Sequence, residues 1–165
     1  MIKKKICMIG AVAVGKTSLV RRFVHGNYSG RYLTTVGVKV DKKVLEADGA
    51  EVTLHLWDLA GEDAFTQLQT AYLRGASGYF VVVDGTRPET LEKALELHLR
   101  AKAALGPAPC IFLLNKSDLE PDWRISPEQI DGLRSGQAAV ERTSAKSGDG
   151  VENAFAELTR KMLSA

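Results

Sequence analysis

The run from Gly10 to Ser18 constrains the fold of this chain more than any other feature of its sequence. It reads Gly-Ala-Val-Ala-Val-Gly-Lys-Thr-Ser and fits the phosphate-binding pattern of a glycine, four residues and then Gly-Lys-Ser/Thr. The apolar segment Ile6–Ile9 before it is typical of a buried parallel strand. An apolar helical face follows, formed by Leu19, Val20, Phe23 and Val24. This order predicts a phosphate cradle, because the loop amides and the helix N-terminus both point at the anion.

Two side chains of this run carry its predicted chemistry. Lys16 would bring a mobile positive charge to the β- and γ-phosphates of a nucleotide. Thr17 would offer a hydroxyl to Mg²⁺, a hard cation that prefers oxygen ligands. The simpler alternative is a glycine-rich turn before a helix, but strand, loop, lysine, threonine and helix in one order favour a phosphate site. Further predicted nucleotide contacts are Ala13, Val14, Gly15 and Ser18.

Size and charge limit the class of protein. A chain of 165 residues, 45% hydrophobic and 25% charged, is typical of one globular domain, here 1–165. The net charge of +2 is too small to indicate nucleic acid or a membrane surface. Cys7 and Cys110 each lie in an apolar run, which predicts reduced core thiols. Because neither a signal peptide nor an apolar run of membrane-spanning length is present, we expect a cytoplasmic protein.

Strand patterns recur along the chain with helical patterns between them. The alternating segments Val36–Leu45 and Glu51–Trp57 flank an Asp-Gly turn, which predicts a β-hairpin. Three further strands are predicted at Gly78–Asp84, Ile111–Leu114 and Ala138–Arg142. The first two of these are continuous apolar runs, as central parallel strands usually are.

Helical periodicity fills the intervals. Leu91, Leu95 and Leu99 share one helical face, and Ser126 is the predicted cap of a short helix with proline at its first position. The last helix has an apolar face of Val151, Phe155, Leu158 and Met162. Alternating strands and helices with one hairpin predict an α/β fold, a mostly parallel sheet in a three-layer sandwich. Ligands of such sheets bind outside the carboxyl ends of the strands.

Three more polar segments follow predicted strands. Asp58 ends the hairpin, where it can hold Mg²⁺ through water, and Gly61 can bring its N–H close to a γ-phosphate. In the segment Asn115–Asp118, the carboxylate of Asp118 can accept two hydrogen bonds from guanine, a pair that adenine does not offer. The backbone of Thr143–Lys146 can donate to the guanine O6. Each segment alone is also a plausible polar turn, but together they predict a guanine-nucleotide site.

These segments resemble those of small GTPases of the Ras superfamily, and most of all its Rab-like branch. The similarity covers residues 4–164 and is carried by Gly10–Ser18, Thr34–Val38, Trp57–Gly61, Asn115–Asp118 and Thr143–Lys146. The resemblance implies a three-layer P-loop NTPase fold, the Ras-like G domain, with six strands, one of them antiparallel at the edge, and five helices. It also implies a switch that binds Mg²⁺ and GTP or GDP, hydrolyses GTP, and meets effectors, an exchange factor and an activating protein.

The resemblance assigns roles to individual residues. Thr35 would reach Mg²⁺ and the γ-phosphate, Tyr28 would stack over the guanine edge, and Lys16 would neutralise developing charge. Segments 28–40 and 58–75 would be the two switches. Beside Asp118, the implied base-site residues are Asn115, Lys116, Ser144, Ala145 and Lys146.

The departures from the family pattern concern hydrolysis. Glu62 stands where a glutamine usually orients the attacking water, and an ionised glutamate only accepts hydrogen bonds. Val12 replaces the usual Gly or Ser and would crowd an incoming arginine, whereas Arg31 is a candidate arginine supplied by the chain itself. We therefore expect either slow intrinsic hydrolysis or a different role for Glu62, as a base or by moving away from the phosphate. The alternative function is a guanine-nucleotide-binding interaction module with negligible turnover.

The remaining expectations concern partners. The chain has neither a C-terminal cysteine box nor a glycine at position 2, so no intrinsic membrane anchor is expected. Either a tail is absent from this sequence, or the chain is a soluble, prokaryotic member. We expect a monomer whose partners meet the switch surface, at Val38, Trp57, Phe65 and Tyr72. His25, His55 and His98 lack metal-ligand spacing, and His98 is expected on a helix surface.

Overall fold

The computed structural model of the protein describes residues 1–29, 38–59 and 67–165, with side chains from residue 70 onward in the last range. Within these ranges it contains six β-strands and five α-helices. The strands are β1 (Ile2–Gly10), β2 (Val38–Ala47), β3 (Ala50–Leu59), β4 (Gly78–Asp84), β5 (Cys110–Asn115) and β6 (Ala139–Arg142). The helices are α1 (Lys16–His25), α2 (Gln67–Leu73), α3 (Glu89–Leu105), α4 (Pro127–Ser135) and α5 (Val151–Ser164).

The strands form one sheet in the order β2-β3-β1-β4-β5-β6. Strand β2 pairs antiparallel with β3, and all other neighbours are parallel. This topology confirms the predicted mostly parallel sheet with one antiparallel edge strand. The carboxyl ends of five strands therefore meet at one edge, at Gly10, Leu59, Asp84, Asn115 and Arg142.

The hairpin turn lies where the sequence predicts it, although β2 covers Val38–Ala47 rather than Val36–Leu45. Asp48 and Gly49 connect β2 to β3 with φ angles of 52° and 77°. Two successive left-handed residues are what a two-residue hairpin turn requires, and Asp-Gly adopts them readily. Residues 36 and 37 lie outside the described residues.

Helices cover both faces of the sheet. On one face α1 and α5 pack together, and the rings of Phe23 and Phe155 stack with centroids 3.9 Å apart. The predicted apolar face of α5 is buried in this cluster. The opposite face is covered by α2, α3 and α4. In α4 the side chain of Ser126 accepts from the N–H of Gln129, which confirms the predicted cap.

The buried face of α3 differs from the leucine stripe in the sequence. Leu95 and Leu99 are 42% and 67% exposed. Leu91 of the predicted stripe is buried, together with Ala94, Leu97 and Ala101. His98 lies four residues after Ala94 and three before Ala101, on their side of the helix, and its Nδ1 is 3.1 Å from the Tyr79 hydroxyl. The prediction that His98 lies on the helix surface was therefore wrong, because small alanines bring this side of α3 close to the sheet.

In the part of the chain that the structure describes, no helix combines the length and apolarity needed to cross a bilayer.

Candidate functional site

The phosphate-binding loop joins β1 to α1 at the carboxyl edge of the sheet. Gly15 caps α1 with a φ of 102°, and a Cβ there would meet the side-chain amide nitrogen of Asn115 at 2.3 Å. Glycine is thus required at position 15 both by the positive φ angle and by the close approach of the Asn115 side chain. Ala13 adopts a φ of 63°, which is unusual for a residue with a side chain. The surrounding structure must hold this residue in place.

Lys16 lies inside the loop and is only 6% exposed. Its Nζ donates to the carbonyl oxygens of Gly10 at 3.1 Å and Ala11 at 2.9 Å. Burial lowers the pKa of its ammonium to about 8, although the nearby carboxylate of Asp58 acts to raise it. The positive charge is thus held against the segment of the loop that precedes Val12.

Thr17 and Asp58 meet at the beginning of α1. The Thr17 hydroxyl donates to Oδ2 of Asp58 at 2.5 Å, and Asp58 is 1% exposed at the end of β3. A hydroxyl and a carboxylate are the hard oxygen ligands that Mg²⁺ prefers, so these two side chains fit the ion. No group of three or more His, Cys, Asp or Glu with metal-binding geometry occurs among the described residues.

A pocket of about 190 Å³ lies beside the loop. It combines the start of α1 with the two polar segments that follow β5 and β6. Tyr28, 41% exposed, lies at the same pocket. Its lining residues are Gly15, Ser18, Tyr28, Asn115, Lys116, Asp118, Leu119, Ala145 and Lys146. The residues predicted to bind a base, apart from Ser144, therefore line one cavity next to the predicted phosphate cradle.

Asn115 is buried at the end of β5 and hydrogen-bonds to the phosphate-binding loop and to the segment that follows β6. Its side-chain nitrogen donates to the carbonyl of Val14 at 2.9 Å. Its side-chain oxygen accepts from the Thr143 hydroxyl at 3.2 Å and from the Ala145 N–H at 3.3 Å. The Ser144 hydroxyl donates to Oδ1 of Asp118 at 2.7 Å. In this structure Asn115 and Ser144 therefore position the pocket through protein contacts.

Sequence reasoning missed three residues of the site. Arg22 on α1 donates to the backbone carbonyls of Ala145 and Lys146. Asp84, at the end of β4, is 1% exposed and accepts from Arg87 and Lys116. The position of Asp84 as the polar last residue of an apolar strand could have identified it, whereas no local pattern identifies either arginine.

Several predicted residues lie outside the described ranges. They are Arg31, Thr35, Gly61, Glu62 and Phe65. Of the predicted switch surface, Trp57 and Tyr72 are half-buried with ring centroids 6.1 Å apart. The Nζ of Lys5 lies 3.7 Å from the centroid of the Trp57 ring and covers it.

A mostly parallel sheet with a Gly-Lys-Thr loop, a buried Asp58 and an adjoining polar pocket defines a protein of the P-loop class. The Ras family profile matches residues 5–164, and the chain belongs to this family.

Rab proteins are among its relatives. The chain is 38% identical to Ras-related protein Rab-7L1 of Rattus norvegicus, over 96% of this chain and 81% of the relative. It is 38% identical to human Ras-related protein Rab-32, over 96% of this chain and 74% of the relative. It is 34% identical to Ras-related protein Rab-13 of Rattus norvegicus, over 96% and 79%. The protein is thus a Rab-like small GTPase, and its family supports GTP binding and a GTP hydrolase role. These relatives are mammalian and do not support a prokaryotic origin, which stays a prediction.

Proposed function

We propose that residues 1–165 form one G domain, a molecular switch that binds GTP or GDP with Mg²⁺ and hydrolyses GTP slowly. The observation that carries this proposal is the direct link between the base pocket and the phosphate loop. Asn115 donates to the carbonyl of Val14, and Nζ of Lys116 donates to that of Ala13 at 3.2 Å. A base bound beside Asp118 and phosphates bound above Lys16 would therefore belong to one continuous site.

Each polar group has a distinct task in this proposal. The carboxylate of Asp118, held by Ser144, accepts from the guanine N1–H and exocyclic amine. The loop amides of residues 13–18 and the Lys16 ammonium bind the phosphates and neutralise charge in the transition state. Mg²⁺, when bound, supplies positive charge to the phosphate oxygens. Thr17, Thr35 and Asp58 hold the ion, directly or through its water.

Hydrolysis depends on residues of the second switch. Gly61 binds the γ-phosphate through its N–H, and Glu62 occupies the position that orients water. A glutamate there accepts hydrogen bonds from water but repels the phosphate, which favours a slow rate. The second candidate is a binding module that keeps GTP without turnover, and Glu62 together with the exposed Val12 favours it.

The family also supports protein regulators, which we place at the switches. Effectors would meet the surface around Trp57 and Tyr72 in the GTP state, and an exchange factor and an activating protein would act at segments 28–40 and 58–75. We propose a cytoplasmic monomer. The buried thiol of Cys7 and the half-buried thiol of Cys110, both free, are consistent with a reducing compartment.

Base choice is tested with Asp118→Asn and the matched control Asp122→Asn, an exposed acid in the short 3-10 helix Glu120–Asp122. Affinity for GDP and for xanthosine diphosphate is measured by displacement of a fluorescent nucleotide. Asp118→Asn should lower the affinity for GDP by about a hundredfold or more and raise the affinity for xanthosine diphosphate. Unchanged GDP affinity would remove Asp118 from base recognition, and Asp122→Asn should behave as the wild type.

Hydrolysis is tested by single-turnover release of phosphate from GTP, with Mg²⁺ and no partner. Glu62→Gln should hydrolyse GTP faster than the wild type if this position orients water. An unchanged rate in Glu62→Gln would exclude that role. No turnover over many hours with tight GTP binding would favour the binding module.

A further inference from the structure

The conformation of the phosphate loop around Ala13 needs support from elsewhere in the protein. Ala13 has a left-handed φ of 63°, which costs free energy for a residue with a Cβ. Such a conformation persists only when surrounding contacts impose it. Two cations supply those contacts, because Arg87 and Lys116 each donate to a carbonyl oxygen of the loop, at Val12 and Ala13.

Both cations are held by one carboxylate. Asp84 accepts from Nε of Arg87 at 2.9 Å and from Nζ of Lys116 at 2.7 Å, and it is 1% exposed. It also accepts from the N–H and hydroxyl of Thr86. Burial acts to raise the pKa of this carboxyl, but the hydrogen bonds from Lys116, Thr86 and Arg87 lower it below its ordinary value. The group therefore remains an anion that can fix two cations.

The segment that carries Arg87 is itself firmly tied. The N–H of Arg87 donates to the carbonyl of Asp84 at 3.0 Å, and the carbonyl of Arg87 accepts from the Thr90 hydroxyl at 2.7 Å. Thr90 in turn accepts from the N–H of Asp84 at 2.9 Å and is 2% exposed. The guanidinium thus extends from a rigid turn between β4 and α3, and its Nη2 lies 2.9 Å from the carbonyl oxygen of Val12.

We propose that Arg87 is a positioning residue of the phosphate loop, which it holds through the carbonyl of Val12 while Asp84 fixes its guanidinium. The inference rests on the proposed nucleotide-binding function and extends it to a residue outside the nucleotide-binding segments. A guanidinium suits this task because its donors are arranged in a rigid fork, so one nitrogen binds the carboxylate and another binds the carbonyl.

The location of Val12 indicates which part of the nucleotide should bind less tightly when the contact between Arg87 and the Val12 carbonyl is lost. Gly15 and Ser18 line the base pocket, whereas Lys16 lies against the carbonyls of Gly10 and Ala11, just before Val12. The lysine of such a loop reaches the distal phosphates. Arg87 should therefore matter for binding of GDP and GTP more than for binding of GMP.

The test compares Arg87→Ala with the wild type and with Arg124→Ala, an exposed arginine that bonds the carbonyls of Pro121 and Trp123. Release of a fluorescent GDP and the dissociation constant of GMP are measured with Mg²⁺ on the full chain. Arg87→Ala should release GDP about fivefold faster, the effect of one lost charged hydrogen bond, and change GMP affinity less than twofold. Arg124→Ala should match the wild type in both measurements.

Two results would overturn the positioning role. One is GDP release from Arg87→Ala within twofold of the wild type, and the other is equal weakening of GDP and GMP, which indicates general loosening. If Arg87→Ala does not fold, Arg87→Lys carries the same test, because an ammonium lacks the fork, and at least twofold faster release is expected. Failure of the wild type to retain GDP would instead contradict the proposed function.

Discussion

The Nε of Arg22 donates to the carbonyl oxygen of Ala145 at 2.8 Å, across 123 positions of sequence. The same guanidinium donates to the carbonyls of Lys146 and, at 3.2 Å, of Gly26. One side chain of α1 therefore fixes the backbone of the segment that closes the base pocket. The helix that begins at the phosphate loop and the loop that would meet guanine are held as one unit.

Removal of this contact should weaken nucleotide retention. Arg22→Met removes the donors to Ala145 and Lys146, so the base segment loses its support, and GDP should dissociate about tenfold faster. Stopped-flow release of a fluorescent GDP measures the rate. The control is Arg21→Met, an exposed arginine whose Nε bonds Asn27 at 2.8 Å, and it should change the rate less than twofold. Equal rates for both variants would show that the Arg22 contact does not support the base site.

Gly85, directly after β4, should not tolerate a side chain. A Cβ there would lie 2.0 Å from the ring of Trp123, which is also covered by the guanidinium of Arg142 at 4.2 Å. We expect Gly85→Ala to lower the free energy of unfolding by about 1–3 kcal/mol, because the indole must shift from its packed position. Urea unfolding with saturating GDP measures the change.

Gly132 within α4 is the matched control for that substitution. A Cβ at this position meets nothing within 4 Å, so Gly132→Ala should raise the free energy of unfolding by about 0.5–1 kcal/mol through helix propensity. If Gly85→Ala is as stable as Gly132→Ala, the close packing of Trp123 on Gly85 is contradicted.

Glu141 on β6 gives the protein a predictable dependence on pH. Burial raises the pKa of its carboxyl above the ordinary 4.5, and so does Glu157 on α5, while Arg134 acts to lower it. Between the pKa of Glu141 in the unfolded chain and its higher pKa in the folded protein, the folded protein binds more protons than the unfolded chain. The free energy of unfolding therefore falls as pH rises through that interval.

Glu141→Gln should remove this repulsion. At pH 7 the variant should gain about 0.5 kcal/mol in free energy of unfolding, the size of a contact between like charges near the surface. Below pH 4 the gain should disappear, because the Glu141 carboxyl, whose pKa is raised, is then protonated in the wild type. Urea titrations at the two pH values measure it. Glu157→Gln should give the same gain, and a double variant with the sum of both gains would contradict a shared interaction.

The sheet and the phosphate loop were predictable because their signals are local. The Gly10–Ser18 run specifies a strand, a turn and a helix within a few residues, and Asp48-Gly49 specifies a hairpin by its own backbone preferences. The buried face of α3 was not predictable in this way. Its contact with the sheet uses Ala94 and Ala101 beside Leu91 and Leu97, so Leu95 and Leu99 of the predicted stripe lie outside the interface.

The contacts that support the site were invisible in the sequence for a different reason. Arg87 and Val12 are 75 positions apart, and their bond links a side chain to a backbone carbonyl, which any residue possesses. The types of residue in a sequence therefore do not indicate which backbone carbonyl a distant side chain will bind. The roles proposed for Lys16, Thr17, Asp58 and Asp118 could be inferred from the sequence, since these residue types in this order form a pattern typical of phosphate, metal and base binding.

The most direct test of a guanine-nucleotide switch is competition between nucleotides for the purified protein. The chain is loaded with a fluorescent GDP and Mg²⁺, and unlabelled GTP or ATP is then added at equilibrium. GTP should displace the label near stoichiometric concentrations, whereas ATP should not displace it at about a thousandfold excess. Displacement by ATP at concentrations similar to those of GTP, or no retention of the label at all, would contradict a guanine-nucleotide switch.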